Sequence, residues 1–215
     1  MADNLLYEVG LECEYWLLDK EDNIIEAPKY NFPADEMGFL VEIRSTWGSD
    51  PGAIVNSLGK EIFSVQKKAE QLGFKIHEAA WLPVTEEWQE YIANKYQHAG
   101  LPDHTKNIYS EKQTQHTGFR EGRATAGLHV HFSVWDIEKE QFIWLSDDIV
   151  GKIVFEMDKV FMEEIDTAKR ILGEWERKGI GDDSGRPHGF EYRSLPATAD
   201  KLKVAKKAIE ILLKD

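Results

Sequence analysis

LLYEVGLECEYWLLD, residues 5–19, alternates about Leu11, Cys13, Tyr15 and Leu17, and a period of two marks a strand with one buried face. The opposite face carries Glu12 and Glu14, two residues apart and so on one side, with Cα atoms about 6.5–7 Å from each other. The arrangement recurs three times downstream. Glu42 and Arg44 hold it in FLVEIRS (39–45), His129 and His131 in TAGLHVHFSVW (125–135) with Ser133 continuing the row, and Glu191 and Arg193 in GFEYRSLP (189–196). The intervening residues, Val41 and Ile43, Leu128, Val130, Phe132 and Val134, Phe190 and Tyr192, are apolar. Alternation alone marks any antiparallel sheet with one wet face. The residue types say more: a merely solvated face shows Lys, Thr, Ser and Gln, whereas the paired positions here are all Glu, His or Arg. The reading is a sheet with one greasy face and one chemical face.

The segments between these strands supply helices. Asp50 followed by Pro51 is a helix start, and Ile54, Leu58, Ile62, Val65, Ala69 and Leu72 recur at helical spacing up to a terminating Gly73. FKIHEAAW (74–81) reads as a strand, and Thr85 with Glu86 and Glu87 starts a short helix through Tyr96. Residues 100–122 form a polar stretch without periodicity, a candidate lid. Ser146, Asp147 and Asp148 cap a helix through about Gly173; 178–188 is a second loop, and 200–213 a last helix. This irregular order predicts an α+β fold, a largely antiparallel curved sheet with helices on one face and the active site on the other.

The chain has 215 residues, which fits one compact domain spanning 1–215. Its formal charge of -13 argues against binding nucleic acid or an anionic membrane surface. The single cysteine, Cys13, excludes an intramolecular disulfide framework; it points to the greasy face, as a small buried hydrophobe. The opening residues lack the pattern of a secretion signal, and no apolar run approaches the roughly 18 residues of a membrane span. A cytoplasmic location is expected.

Glu12, Glu14, Glu42 and Glu191 gathered on one face repel one another and raise at least one pKa unless cations intervene. Carboxylates favour Mg²⁺ or Mn²⁺, with His129 suiting Mn²⁺; zinc is also compatible. Two ions about 3.5–4 Å apart, bridged by carboxylates, leave positions for phosphate oxygens, and Arg44 and Arg193 offer bidentate contacts to the same anion. The set reads as a phosphoryl-transfer site.

GLECEYWLLD, AGLHVHFS and FEYRSLP together resemble the glutamine synthetase-like superfamily, which includes glutamate-cysteine ligases and the short bacterial and bacteriophage carboxylate-amine ligases called amidoligases. The resemblance is strongest to the amidoligases and covers most of the chain. It rests on the order of motifs: two glutamates one residue apart, a further acidic strand, Gly-x-His-x-His-x-Ser, then Glu-x-Arg. The resemblance implies that Glu12, Glu14, His129 and Glu191 hold two or more Mg²⁺ or Mn²⁺ ions, with Glu42 a further ligand. It implies that His131 and Ser133 lie toward ATP or the second substrate and that Arg193 grips the transferring phosphoryl group, with Arg44 acting similarly. Arg186, in the loop before Glu191, is a candidate contact for phosphate or a substrate carboxylate, as are Arg120 and Arg123; all three are also compatible with solvated loop positions.

The implied reaction activates a carboxylate with ATP as an acyl phosphate, which an amine attacks to form an amide. The implied partners are small-molecule or peptide carboxylates and amines. A chain this short is expected as a monomer or small homo-oligomer rather than a large ring. Other readings share these residues. A cupin or other metal hydrolase also uses His-x-His, although a cupin is nearly all β and wants a later His where this chain has Glu-x-Arg. A phosphotransferase of the same fold and a non-catalytic binding relative stay open.

Overall fold

A computed structural model describes residues 4–34, 38–99, 105–110, 119–120, 123–168, 170–178 and 189–214. Its spine is β1 (Leu5–Leu18), flanked by β2 (Leu40–Arg44) and β8 (Gly127–Asp136). Beyond β8 lie β11 (Gly189–Pro196), β10 (Glu174–Lys178) and the two-residue β5 (Lys106–Asn107), giving the order β2-β1-β8-β11-β10-β5 with every pair antiparallel. Two short strands, β3 (Lys75–His77) on β1 and β9 (Gln141–Phe142) on β8, complete eight strands among the described residues. The four strands whose sequence carries a polar pair are consecutive in space, which is what assembles one chemical face.

The greasy side chains are buried as their period requires: Val9, Leu11 and Cys13, then Leu128, Val130 and Phe132, then Phe190 and Tyr192. They share one core with the apolar stripes of α1 (Pro51–Gln71), α3 (Asp147–Thr167) and α4 (Lys201–Leu212). Asp50 caps α1 by accepting from the amides of Gly52 and Ala53, and Ser146 caps α3. Gly73 takes the positive φ of a helix terminator. Between β8 and β11 the backbones close on Gly189, where an added Cβ would stand 1.8 Å from the Phe132 carbonyl oxygen.

Several sequence expectations change. The strand expected over 74–81 divides into β3 and β4 (Trp81–Pro83), and β4 joins a separate small sheet with β7 (Arg123–Thr125) and β6 (Phe119–Arg120). Lys75 and His77 are exposed, so no apolar face holds that segment straight. The helix expected through Gly173 ends at Thr167, and residues 174–178 form a strand. The short helix is longer than expected, α2 (Glu86–Ala99). Within the candidate lid, 105–110 adds the edge strand β5; the remainder, apart from β6, lies outside the described residues, as do Arg186 and most of the 178–188 loop.

Candidate active site

Strand register arranges the chemical face in rows. One row crosses the sheet as Arg44, Glu12 and His129; the next runs Gly10, His131, Glu191 and Glu176; Glu42 lies opposite Glu14, and Ser133 pairs with Glu8 on one side and Gly189 on the other. Glu12, Glu14, His129, His131, Ser133 and Glu191 are all buried. His129 Nδ1 stands 2.8 Å from Glu191 Oε1 and 3.1 Å from Glu12 Oε1, while its Nε2 is 3.9 Å from Glu14 Oε1. His131 Nε2 lies 3.4 Å from Glu12 Oε2. Each arginine bridges carboxylates: Arg44 Nε donates to Glu12 Oε2 at 2.7 Å and its Nη2 pairs with Glu42, and Arg193 Nη1 reaches Glu191 Oε1 at 2.7 Å and Glu176 Oε2 at 3.1 Å. Nine sequence-expected site residues thus meet on one face. Arg186 lies outside the described residues; β6 and β7 carry Arg120 and Arg123 in the small sheet whose Thr125 leads into β8.

Two further residues belong to this face. Glu176 follows Glu174 at the same spacing of two, but with Trp175 as the one apolar residue beside the pair. Trp47 is placed by a bulge: Arg44 pairs with Glu12, but Gly48 exchanges backbone hydrogen bonds with Val9, so one extra residue is fitted after β2. That shift sets Trp47 opposite Gly10. A Cβ on Gly10 would lie 3.0–3.2 Å from the indole, which lies over the glycine and meets the His131 ring at a centroid distance of 5.3 Å.

The electrostatics describe a cluster short of positive charge. Burial opposes ionisation of Glu12, yet hydrogen bonds from His129 and His131 hold its carboxyl well below the ordinary value. Burial, then Glu12, pushes Glu42 up to about 8. His129 is pressed down by burial and by Arg193, but Glu14, Glu191 and Glu12 outweigh both and raise it to about 9. Arg193 is raised despite burial, chiefly by Glu191 and Glu176. Glu42 and His129 thus hold their protons to higher pH beside the excess of carboxylates, a charge that a divalent cation can supply instead. The donor set fits one: ligand atoms of Glu12, His129 and Glu191 lie within 4.8 Å of one another, and carboxylates with an imidazole suit Mg²⁺ or Mn²⁺.

A pH test follows. A folded His129 value of about 9, above the unfolded value of about 6.5, gives stability that is fully present below pH 6.5 and lost as pH rises toward 9. Glu42, raised from 4.5 to about 8, adds a loss that begins near pH 4.5 and is complete by about pH 8. The apo protein should therefore melt at lower temperature from pH 6.5 to 9, and saturating Mn²⁺, which replaces the protons, should flatten the trend. Melting scans at several pH values check it; equal slopes with and without Mn²⁺ would contradict it.

Neither a family model nor a curated protein matches the chain. Solved structures do. One described as "Crystal structure of novel glutamine synthase homolog" superposes with a TM-score of 0.54 at 12% identity, over 98% of this chain and 55% of that one. The fold is glutamine synthetase-like. A second structure, "Apo GmaS without ligand", aligns at a TM-score of 0.49 and 12% identity, over 98% of this chain and 54% of that one. The chain thus spans about half the length of either structure. No helix among the described residues is long and apolar enough to cross a membrane.

Proposed function

We propose that the chain is an ATP- and divalent-metal-dependent carboxylate-amine ligase of the amidoligase kind, with one catalytic domain over residues 1–215, acting in the cytoplasm on small-molecule or peptide carboxylates and amines as a monomer or small homo-oligomer. The observation that carries this reading is the buried cluster of Glu12, His129 and Glu191, with Arg193 paired to Glu191, on the polar face of a sheet whose fold is glutamine synthetase-like.

In this reading Glu12, Glu14, His129, Glu191 and Glu42 hold Mg²⁺ or Mn²⁺, which when bound neutralises the phosphate oxygens and the charge that develops on the transferring group. Arg193 and Arg44 orient that group. Arg193 keeps Nε without a hydrogen-bond partner among the described residues, a donor available to an anion. His131 and Ser133 face ATP: His131 Nδ1 and Ser133 Oγ are buried without partners among the described residues, a cost that a bound ligand removes. The indole of Trp47 supplies a flat surface beside them. Arg186 contributes to phosphate or substrate carboxylate binding.

A carboxylate oxygen of the substrate attacks the γ-phosphorus and ADP leaves. The amine then attacks the acyl carbon, phosphate leaves, and one proton is lost from nitrogen. A closed, dry site protects the acyl phosphate from water. The test supplies ATP, Mn²⁺, pooled carboxylic acids and hydroxylamine as a general amine, and reads ADP and acyl hydroxamate. Hydroxamate formed in proportion to ADP supports a ligase. ADP release with a phosphorylated amine and no hydroxamate would make the protein a phosphotransferase.

A further inference from the structure

β11 does not pair evenly with β8. Tyr192 lies opposite Val130, but Leu195 lies opposite Leu128, so Arg193 and Ser194 together occupy the place of one residue beside His129. Such a bulge forfeits ladder hydrogen bonds and re-aims its side chains. Here it aims Arg193 at Glu191 and Glu176. The Arg193 carbonyl gains a new partner, and the strand on either side is held, from α3 and the residues that follow it. Arg170 Nη2 donates to the Arg193 carbonyl at 2.5 Å, and its Nη1 lies 3.4 Å from Thr125 Oγ1. The Glu174 amide donates to Ser194 Oγ at 3.1 Å. The Tyr192 hydroxyl donates to Asp158 Oδ1 at 2.7 Å.

Asp158 is the anomalous member. It sits mid-helix with 0% exposure among Val154, Met157, Phe161 and Ile165, where a carboxylate weakens apolar packing unless its hydrogen bonds are satisfied. Burial raises its pKa, opposed by Tyr192, Tyr109, the Gly173 amide and Ser194. A leucine would fill the stripe at lower desolvation cost, so the acid at this position answers to Tyr192, the residue just before the bulge.

We infer that Asp158 and Arg170 are positioning residues that clamp the β11 bulge from the α3 side and so fix the Arg193 guanidinium between Glu191 and Glu176. The clamp rests on the proposed role of Arg193 only for its effect on ATP; its effect on Arg193 itself is independent of any ligand. Misplacing a binding group by an ångström through a residue that never touches the ligand weakens binding substantially.

The experiment uses the full chain labelled with ¹⁵N-arginine. The Arg193 Nε–H resonance is assigned by its loss in Arg193→Lys and followed in Asp158→Leu, Arg170→Met and Asp158→Asn, alongside titrations of Mn²⁺ alone and of ATP at saturating Mn²⁺. In the Leu and Met variants the resonance should move toward that of an exposed arginine, with ATP binding about tenfold weaker and Mn²⁺ affinity within about twofold of wild type. Asp158→Asn, which keeps an acceptor for Tyr192, should restore the resonance. An unmoved Arg193 signal in folded variants overturns the clamp, as does a fall in Mn²⁺ and ATP affinity in step with melting temperature. If wild type binds no ATP, the functional reading fails, and the Arg193 resonance alone upholds or overturns the clamp.

Discussion

Glu191→Gln should weaken Mn²⁺ binding by at least about a hundredfold, since even partners behind metal ligands are worth about 10–100-fold. The substitution keeps size and removes charge at a site with 0% exposure. Glu191 lies 2.8 Å from His129 Nδ1 and 2.7 Å from Arg193 Nη1, so it touches both halves of the proposed machinery. Both donors address the same oxygen, Oε1, so a glutamine with its carbonyl oxygen in that place still accepts from them and loses only the negative charge that a cation needs. Titration of Mn²⁺ followed by electron paramagnetic resonance measures the affinity, with circular dichroism as the check on folding. Affinity retained within about threefold in a folded variant would remove Glu191 from the ligand set.

Arg193→Met should separate anion binding from metal binding. Its methylene stem fills much of the same space, but the fork that bridges Glu191 and Glu176 is gone. In the metal-free protein this leaves the buried Glu191 carboxylate paired with His129 but without its guanidinium, and the melting temperature should fall. Saturating Mn²⁺ supplies Glu191 with another cation, so the loss of melting temperature should shrink when the ion is present. ATP affinity at saturating Mn²⁺ should fall about a hundredfold, and Arg193→Lys should recover little of it, because a point charge cannot reproduce bidentate contacts. Calorimetry on both variants checks this; full rescue by lysine would reduce Arg193 to a source of charge.

What the sequence made legible follows from which signals are periodic. The polar pairs on β1, β2, β8 and β11 stand out because Leu11, Val41, Leu128 and Phe190 around them are apolar, and the register then brings those pairs side by side. β10 escaped because Glu174, Glu176, Arg177 and Lys178 leave Trp175 as its single apolar residue, and its burial comes from neighbours rather than from its own pattern. Trp47 owes its place to a bulge, which shifts register by one residue without a mark in the alternation. The division of 74–81 into β3 and β4 is likewise tertiary, since the two pieces find partners in different sheets. Asp158 interrupts a helical stripe that otherwise reads as core, and Arg170 follows the end of α3 where no periodicity applies.

The cluster gathers more carboxylates than its arginines and His129 neutralise, and in the proposed reading this face binds ATP through a divalent metal. Calorimetric titration of ATP into the protein with Mg²⁺, with Mn²⁺ and with chelator tests it directly. Binding should appear with either metal and vanish with chelator. Binding that is indifferent to chelator, or no binding by well-folded protein with either metal, would contradict it.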